Sequence, residues 1–328
     1  MTVQEILNGF RSRTALVVGD ICLDRWCTYD PALSEPSRET GIPRLAVVST
    51  QVTPGAGGTV ANNLAALGVG RVAVLGAMGE DGHGAELLSA LADRGIDAGM
   101  LITAPGTQTF TYTKLINGAT GVEDVPRVDF INRDPLPAEV EEQILIRLRY
   151  SVSGFDVILV ADQAESEQGV VTSRVREFLS EFAGSHPDRI VWVDSRLRPE
   201  LYRHAIVKPN QQEAEAACRR LFGTVDYEAL RRRVESPLLL VTHGADGVLL
   251  VEPGRQTWVR TRPDPHPVDI CGAGDSFSAG AAMALSVTGS PYEAARFGNL
   301  VASITIRKKG TGAATPEEVI AAEREFPK

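Results

Sequence analysis

The sequence predicts a doubly wound α/β sandwich, a mostly parallel sheet with helices on both faces. Three observations predict it. Short β-branched runs recur along the chain, a helix-period pattern follows each of them, and the runs are apolar almost throughout rather than alternating. A strand that is apolar on both faces must be covered on both faces, which is the setting of a parallel sheet between helix layers. Strand–helix alternation is the pattern that builds such a sheet.

The first strand reads T-A-L-V-V-G-D (14–20). Residues 29–54 then break the pattern, with Pro31, Pro36, Pro43 and Pro54 around a strand-like R-L-A-V-V-S-T-Q-V. The second core strand is R-V-A-V-L-G-A-M-G (71–79), and the helical E-L-L-S-A-L-A-D-R-G that follows ends at Gly95. Residues 107–130 break the pattern again. They alternate as T-Q-T-F-T-Y-T-K-L-I and close on P-R-V-D-F, the mark of strands wet on one face. Four further runs complete the core: 156–162, 189–194, 205–210 and 238–244. Between the last two lies the helical E-A-E-A-A-C-R-R-L-F, ending at Gly223. We expect one domain over residues 1–328, with the two exceptional stretches, roughly 29–54 and 107–130, forming a small β-sheet lid on the core.

Composition narrows the function. A net charge of −9 argues against nucleic acid or an anionic membrane as partner. The basic run Arg231–Arg233 sits among glutamates as a solvated helix face. No apolar run reaches bilayer length and the start lacks a secretory h-region, so a cytoplasmic protein is expected. Cys22, Cys27, Cys218 and Cys271 show no C-x-x-C spacing, and the five histidines no H-E-x-x-H, so a protein-built zinc site is not expected.

Ligands of α/β proteins bind beyond the carboxyl ends of the strands. Polar groups fall at six such places: Asp20 with Asp24, Asp162, Asp194, Asn210 with Glu213, Thr242 with Gly244, and the turn before Asp275. None of the five lysines follows a glycine, which removes a P-loop. The G-x-G-x-x-A spacing at Gly68, Gly70 and Ala73 precedes a strand instead of following one, so it is no dinucleotide fingerprint. The richest stretch is V-D-I-C-G-A-G-D-S-F-S-A-G (268–280). Glycines at a helix start let an anion approach unpaired amides. A carboxylate there repels that anion, so Asp275 either charges its own helix or takes a proton from a reacting hydroxyl.

D-I-C-G-A-G-D followed by S-F-S-A-G resembles the C-terminal signature of the ribokinase-like (PfkB) carbohydrate kinases. The likeness runs through nearly the whole chain. V-G-D-I-C-L-D (18–24) resembles the family's first strand, and P-G-A-G-G-T-V-A-N-N-L-A-A-L-G (54–68) its glycine-rich sugar-side motif. K-P-N-Q-Q-E (208–213) fits its N-x-x-E, V-T-H-G (241–244) its nucleotide-side turn, and Asn299 its adenine border. Within the family, P-R-V-D-F, D-S-R and the first strand look most like the kinases of heptose 7-phosphate. Three departures from those kinases stand out. Thr59 stands for the usual sugar-binding asparagine, Glu165 lies in A-D-Q-A-E-S where they carry a lysine and a glycine, and Ile270 with Cys271 replaces small or hydroxylated residues.

The resemblance implies a ribokinase-like three-layer sandwich that phosphorylates a sugar or sugar-phosphate hydroxyl at the expense of ATP. It implies that Asp275 is the base and that Gly272, Ala273 and Gly274 hold the transferring phosphoryl. Thr242, Gly244 and Asn299 would border the nucleotide, and Asn210 and Glu213 would hold Mg²⁺ through water. Asp24, Gly55, Gly57 and Thr59 would hold the sugar. A K⁺ site would involve Asp269 and the loop around Gly310. Arg25, Arg38, Arg127 and Arg196 are candidates for a basic clamp on a phosphorylated acceptor. Cys271, beside a helix start, is expected either to be a reactive thiol of lowered pKa or a small buried apolar group. Lid strands that pair between subunits through an edge at 107–116 imply a homodimer. The alternatives are a nucleoside or simple-sugar kinase, and a non-catalytic sugar- or nucleotide-binding protein of the same fold.

Overall fold

The computed structural model describes residues 1–164 and 169–325. Its strands in chain order begin with β1 (Thr14–Gly19), β2 (Ile21–Tyr29), β3 (Val47–Ala56), β4 (Arg71–Gly79) and β5 (Asp97–Ala104). They continue with β6 (Thr111–Asn117), β7 (Val128–Phe130), β8 (Val157–Asp162) and β9 (Ile190–Ser195). The last are β10 (Ile206–Val207), β11 (Leu239–Thr242), β12 (Val248–Glu252) and β13 (Arg255–Val259). The helices are α1 (Val3–Phe10), α2 (Gly57–Ala66), α3 (Gly82–Ala92), α4 (Ala138–Ser151) and α5 (Ser173–Ser185). They are followed by α6 (Gln211–Phe222), α7 (Tyr227–Arg233), α8 (Ala273–Thr288), α9 (Pro291–Thr305) and α10 (Pro316–Glu325).

The large sheet runs β13-β12-β11-β10-β9-β8-β1-β4-β5. Only β12 opposes its neighbours; the other pairings are parallel. Alternate residues of β1 enter opposite cores, Ala15 and Val17 with α1, α2, α8 and α9, Leu16 and Val18 with α4, α5 and α6. This is the three-layer α/β/α sandwich expected, and its apolar strands are covered on both sides.

The chain builds outward from β1 through β4 to β5, returns to β8, and then builds the other way. The crevice at the carboxyl ends of β1 and β8 is therefore the topological switch point, where α/β proteins bind ligands. Gly19 is needed there. Its φ is +139°, and a Cβ would lie 2.2 Å from the Ala161 carbonyl oxygen.

The second sheet has the order β3-β2-β6-β7, with β2 and β6 parallel and the outer pairings antiparallel. From the resemblance, residues 18–24 are expected to belong to the family's first strand. Instead the chain leaves the large sheet at Gly19, and Ile21–Tyr29 is one of the two inner strands of the small one. The strand expected at 44–52 is observed at Val47–Ala56. The run at 205–210 makes only a two-residue strand, because Asn210 is already the N-cap of α6. The edge expected at 107–116 is also corrected: β6 is flanked by β2 and β7, and the long outer edge is that of β3, where Val47 and Val48 are exposed.

Candidate active site

A cavity of about 620 Å³ opens between the small sheet and the switch point, lined among others by Asp24, Trp26, Thr59, Gln163, Gly272 and Asp275. One wall is the start of α8. Gly272 is its N-cap in the left-handed region (φ +76°), so the turn needs a residue without a Cβ. Asp275 lies in the first turn. Among the described residues, the amides of Gly272 and Gly274 have no backbone partner, whereas the Ala273 amide donates to the Ile270 carbonyl at 3.2 Å. The anion turn therefore offers two open amides of the three expected.

Asp275 Oδ1 accepts a hydrogen bond from Gln163 Nε2 at 2.8 Å. Burial, and next to it the Asp194 carboxylate, push the Asp275 carboxyl up to about 6, against the opposing pull of Gln163, Lys208 and Arg196. Lys208 is buried, pairs with Asp194 at 2.6 Å, and its Nζ lies 3.4 Å from where a Cβ on Gly274 would sit. A cation thus stands directly beneath the glycine turn.

Asp24 faces the same cavity from β2. Burial raises its carboxyl to about 6, while Lys114 and Arg127 work against the rise. Its carboxylate rests over Gly55, where any Cβ would meet Asp24 Oδ1 at 2.5 Å. Gly57 does not line the cavity; it packs against Ile21 and Ala161. Thr59 does line it, but its hydroxyl donates to the Pro54 carbonyl at 3.3 Å and its Cγ2 faces Gly272. The substitution for asparagine therefore turns a methyl to the site.

The residues expected to border the nucleotide and Mg²⁺ lie outside this cavity. Asn210 and Glu213 form a reciprocal capping box on α6: Asn210 Oδ1 accepts from the Glu213 amide at 2.9 Å, and Glu213 Oε2 from the Asn210 amide at 2.7 Å. Burial and Asp194 raise the Glu213 carboxyl, opposed by Lys208. Thr242 bridges to Asn210, Gly244 opens the next turn with φ +55°, and Asn299 Nδ2 donates to the Val259 carbonyl at 3.1 Å. Among the described residues no group of three or more His, Cys, Asp or Glu could hold a metal. One carboxylate and one amide oxygen suit a hydrated Mg²⁺ better than a dehydrated ion. Asp269 joins the turn to the Gly310 loop, accepting from the Cys271 amide at 2.9 Å and the Gly310 amide at 3.1 Å.

Of the four clamp candidates, Arg127 and Arg196 line the cavity. Arg25 instead pairs with Glu86 at 3.0 Å, and Arg38 lies on an exposed loop. Glu165 lies outside the described residues. Lys114, Arg133, Gln163 and Lys208 were missed. Lys114 was within reach, since the alternation of 107–116 points Tyr112 and Lys114 to the face opposite buried Thr111 and Thr113. The lowered pKa expected for a reactive Cys271 is corrected. The residue is exposed at the cavity mouth, but crowding around its thiol and three nearby carboxylates push it up.

A family model described as pfkB family carbohydrate kinase matches residues 15–318. The chain belongs to this family. Members of this family are described as carbohydrate kinases. It is 31% identical over 333 residues to the Bifunctional protein HldE of Trichlorobacter lovleyi, covering 98% of this chain and 65% of that protein. The Geotalea uraniireducens protein of the same name is 31% identical over 327 residues, covering 97% and 64%. The chain therefore spans a little under two thirds of the length of these curated relatives. Among solved structures, ribokinase from Thermotoga maritima superposes with a TM-score of 0.71 at 23% identity, covering 95% of this chain and 99% of that one. Phosphofructokinase-2 from Escherichia coli, in complex with potassium, gives 0.71 at 19% identity, covering 95% and 98%. These two likenesses establish the fold. No helix among the described residues is long and apolar enough to cross a membrane.

Proposed function

We propose that this kinase transfers the terminal phosphoryl group of ATP to a hydroxyl of a phosphorylated sugar, of the heptose 7-phosphate class that its sequence resembles. One observation carries the reading: the cavity holds Asp24 and Asp275 together with Lys114, Arg127, Arg133 and Arg196. Of its other acids, Asp129 is committed to Arg127 at 2.6 Å and Asp20 to three backbone amides. Four cationic side chains around one cavity can meet an acceptor that brings its own anion.

In this reading Asp24 anchors sugar hydroxyls over Gly55, and Arg133 and Arg196 meet the acceptor's phosphate. The acceptor hydroxyl gives its proton to Asp275, its oxygen forms the new P–O bond, and the bond from that phosphorus to ADP breaks. A base near pH 6 is largely ionised at neutrality yet still basic. The amides of Gly272 and Gly274, backed by Lys208, neutralise charge on the moving phosphoryl group. Thr242, Gly244 and Asn299 border the nucleotide. Asn210 and Glu213 would hold hydrated Mg²⁺, which would supply further neutralisation, and Asp269 with the Gly310 loop is our K⁺ site. The small sheet acts as the lid of a single domain and excludes water from the reaction. The β3 edge is our homodimer contact, and the three buried free cysteines fit a cytoplasmic setting.

A coupled ADP-release assay over heptose 7-phosphate, fructose 6-phosphate, ribose, fructose and adenosine tests the acceptor. The phosphorylated sugars are expected to have the highest kcat/KM, and Arg196→Ala to raise their KM about tenfold or more. A nucleoside or unphosphorylated sugar as best acceptor overturns the assignment.

A further inference from the structure

We propose that Gln163 is the positioning residue of the catalytic base: held from behind by Asp20, it binds one oxygen of Asp275 and turns the other toward the acceptor. The inference rests on the reading of Asp275 as that base. Gln163 follows β8 directly, and its own backbone is fixed. Asp20 Oδ2 accepts from the amides of Gln163 at 3.0 Å and Ala164 at 2.9 Å, while Oδ1 accepts from Val170 at 2.8 Å. Asp20 is almost wholly buried at the junction of β1 and β2. The Gln163 side chain then crosses to α8 and donates from Nε2 to Asp275 Oδ1 at 2.8 Å. Among the described residues, Asp275 Oδ2 has no hydrogen-bond donor, and Asp275 and Gln163 both line the cavity.

The chemistry suits an amide. A carboxylate otherwise free to turn about its last torsion presents either oxygen to the acceptor; one fixed donor selects the other. A lysine or arginine in that role would form an ion pair and weaken the base, whereas an amide donates at every pH and carries no charge. Asp275 is faced by Asp194 and Arg196 at the end of β9, by Lys208 after β10, and by Cys271 on its own turn. Lys208 is already committed to Asp194 at 2.6 Å, so neutral donation falls to Gln163.

Gln163→Met keeps the length and removes the donor. With the best acceptor of the panel above and saturating ATP and Mg²⁺, kcat is expected to fall about 10- to 100-fold with acceptor KM within about threefold. The acid limb of kcat/KM is expected to move up by about one pH unit, because the ionised base has lost its hydrogen bond. Gln163→Glu sets a second carboxylate beside Asp275, so one shared proton should move the limb further in the same direction. It also carries the test should the Met variant unfold. A loss of activity with the acid limb unmoved in both variants would mean that Gln163 merely packs, and overturns the proposal. Asp275→Asn separates the two ideas: turnover retained there removes the base itself, while an inactive Asp275→Asn beside a wild-type-like Gln163→Met removes only the positioning role.

Discussion

The two carboxylates of the cavity sit on different halves of the molecule. Asp275 belongs to a helix buried against the large sheet, while Asp24 belongs to an inner strand of the small one. Burial raises both to about 6, but their neighbours differ. Asp275 is pushed further by Asp194, an acid of the core, whereas Asp24 is drawn back by Lys114 and Arg127, cations of the small sheet. Under the proposed function this difference is a division of labour, with Asp275 held at tension to take a proton and Asp24 charge-matched to hold a ligand.

Substitution to asparagine should separate the two. Asp275→Asn is expected to lower kcat by about 10²–10⁴-fold with ATP affinity, measured by calorimetry, within about threefold. Asp24→Asn should act mainly on acceptor KM, raising it about 10- to 100-fold. Equal effects on kcat from both would erase the distinction. Next in size is Lys208→Met. It leaves Asp194 buried without its cation and should cost about 3–5 kcal/mol in denaturant unfolding. A loss below about 1 kcal/mol would show that water already reaches the pair.

The smallest effect is on the pH dependence of stability. Both carboxyls have folded values of about 6, above the ordinary 3.8, so the folded state binds more protons than the unfolded chain between those values. Their contribution is fully present below about pH 4 and is lost as pH rises through about 6, on the order of 1–3 kcal/mol for each group. Asp275→Asn should therefore raise Tm at pH 8 by roughly 2–4 °C even as kcat falls. An unchanged Tm would mean that solvent relieves the strain on the carboxylate.

The same two halves differ in how legible they were. The large sheet announced itself through apolar runs such as R-V-A-V-L-G and L-L-L-V-T, because strands covered on both faces cannot alternate. The small sheet showed only as alternation and proline, and β2 was hidden because Ile21–Tyr29 continues directly from an apolar strand. The bend between them depends on Gly19 meeting Ala161, far away in sequence. The antiparallel β12 and edge strand β13 also escaped, since short strands after a turn leave no helix between them to mark the alternation.

At the site, the glycine turn and Asp275 were legible because helix starts and carboxylates obey local rules. Gln163 was not, because its contact with Asp275 spans 112 residues and no spacing encodes it. N-Q-Q-E shows the opposite difficulty: Asn210 and Glu213 satisfy a helix-capping pattern as completely as a metal-side one. Lys208, a buried lysine before Pro209, was visible in the sequence but gained meaning only from the Gly274 backbone above it.

The crossings between the two sheets are unequal. β1 passes into β2 through Asp20 alone, β3 runs straight into α2, and the Gly57 amide ties these two passages together by donating to the Asp20 carbonyl at 2.8 Å. The return paths, from β5 to β6 and from β7 to α4, are looser loops. The small sheet is thus mounted on a stiff axle along one margin and slack along the other. The axle runs through the residue whose carboxylate steadies Gln163, so under the proposed reading a swing of the small sheet would turn beside the brace on Asp275.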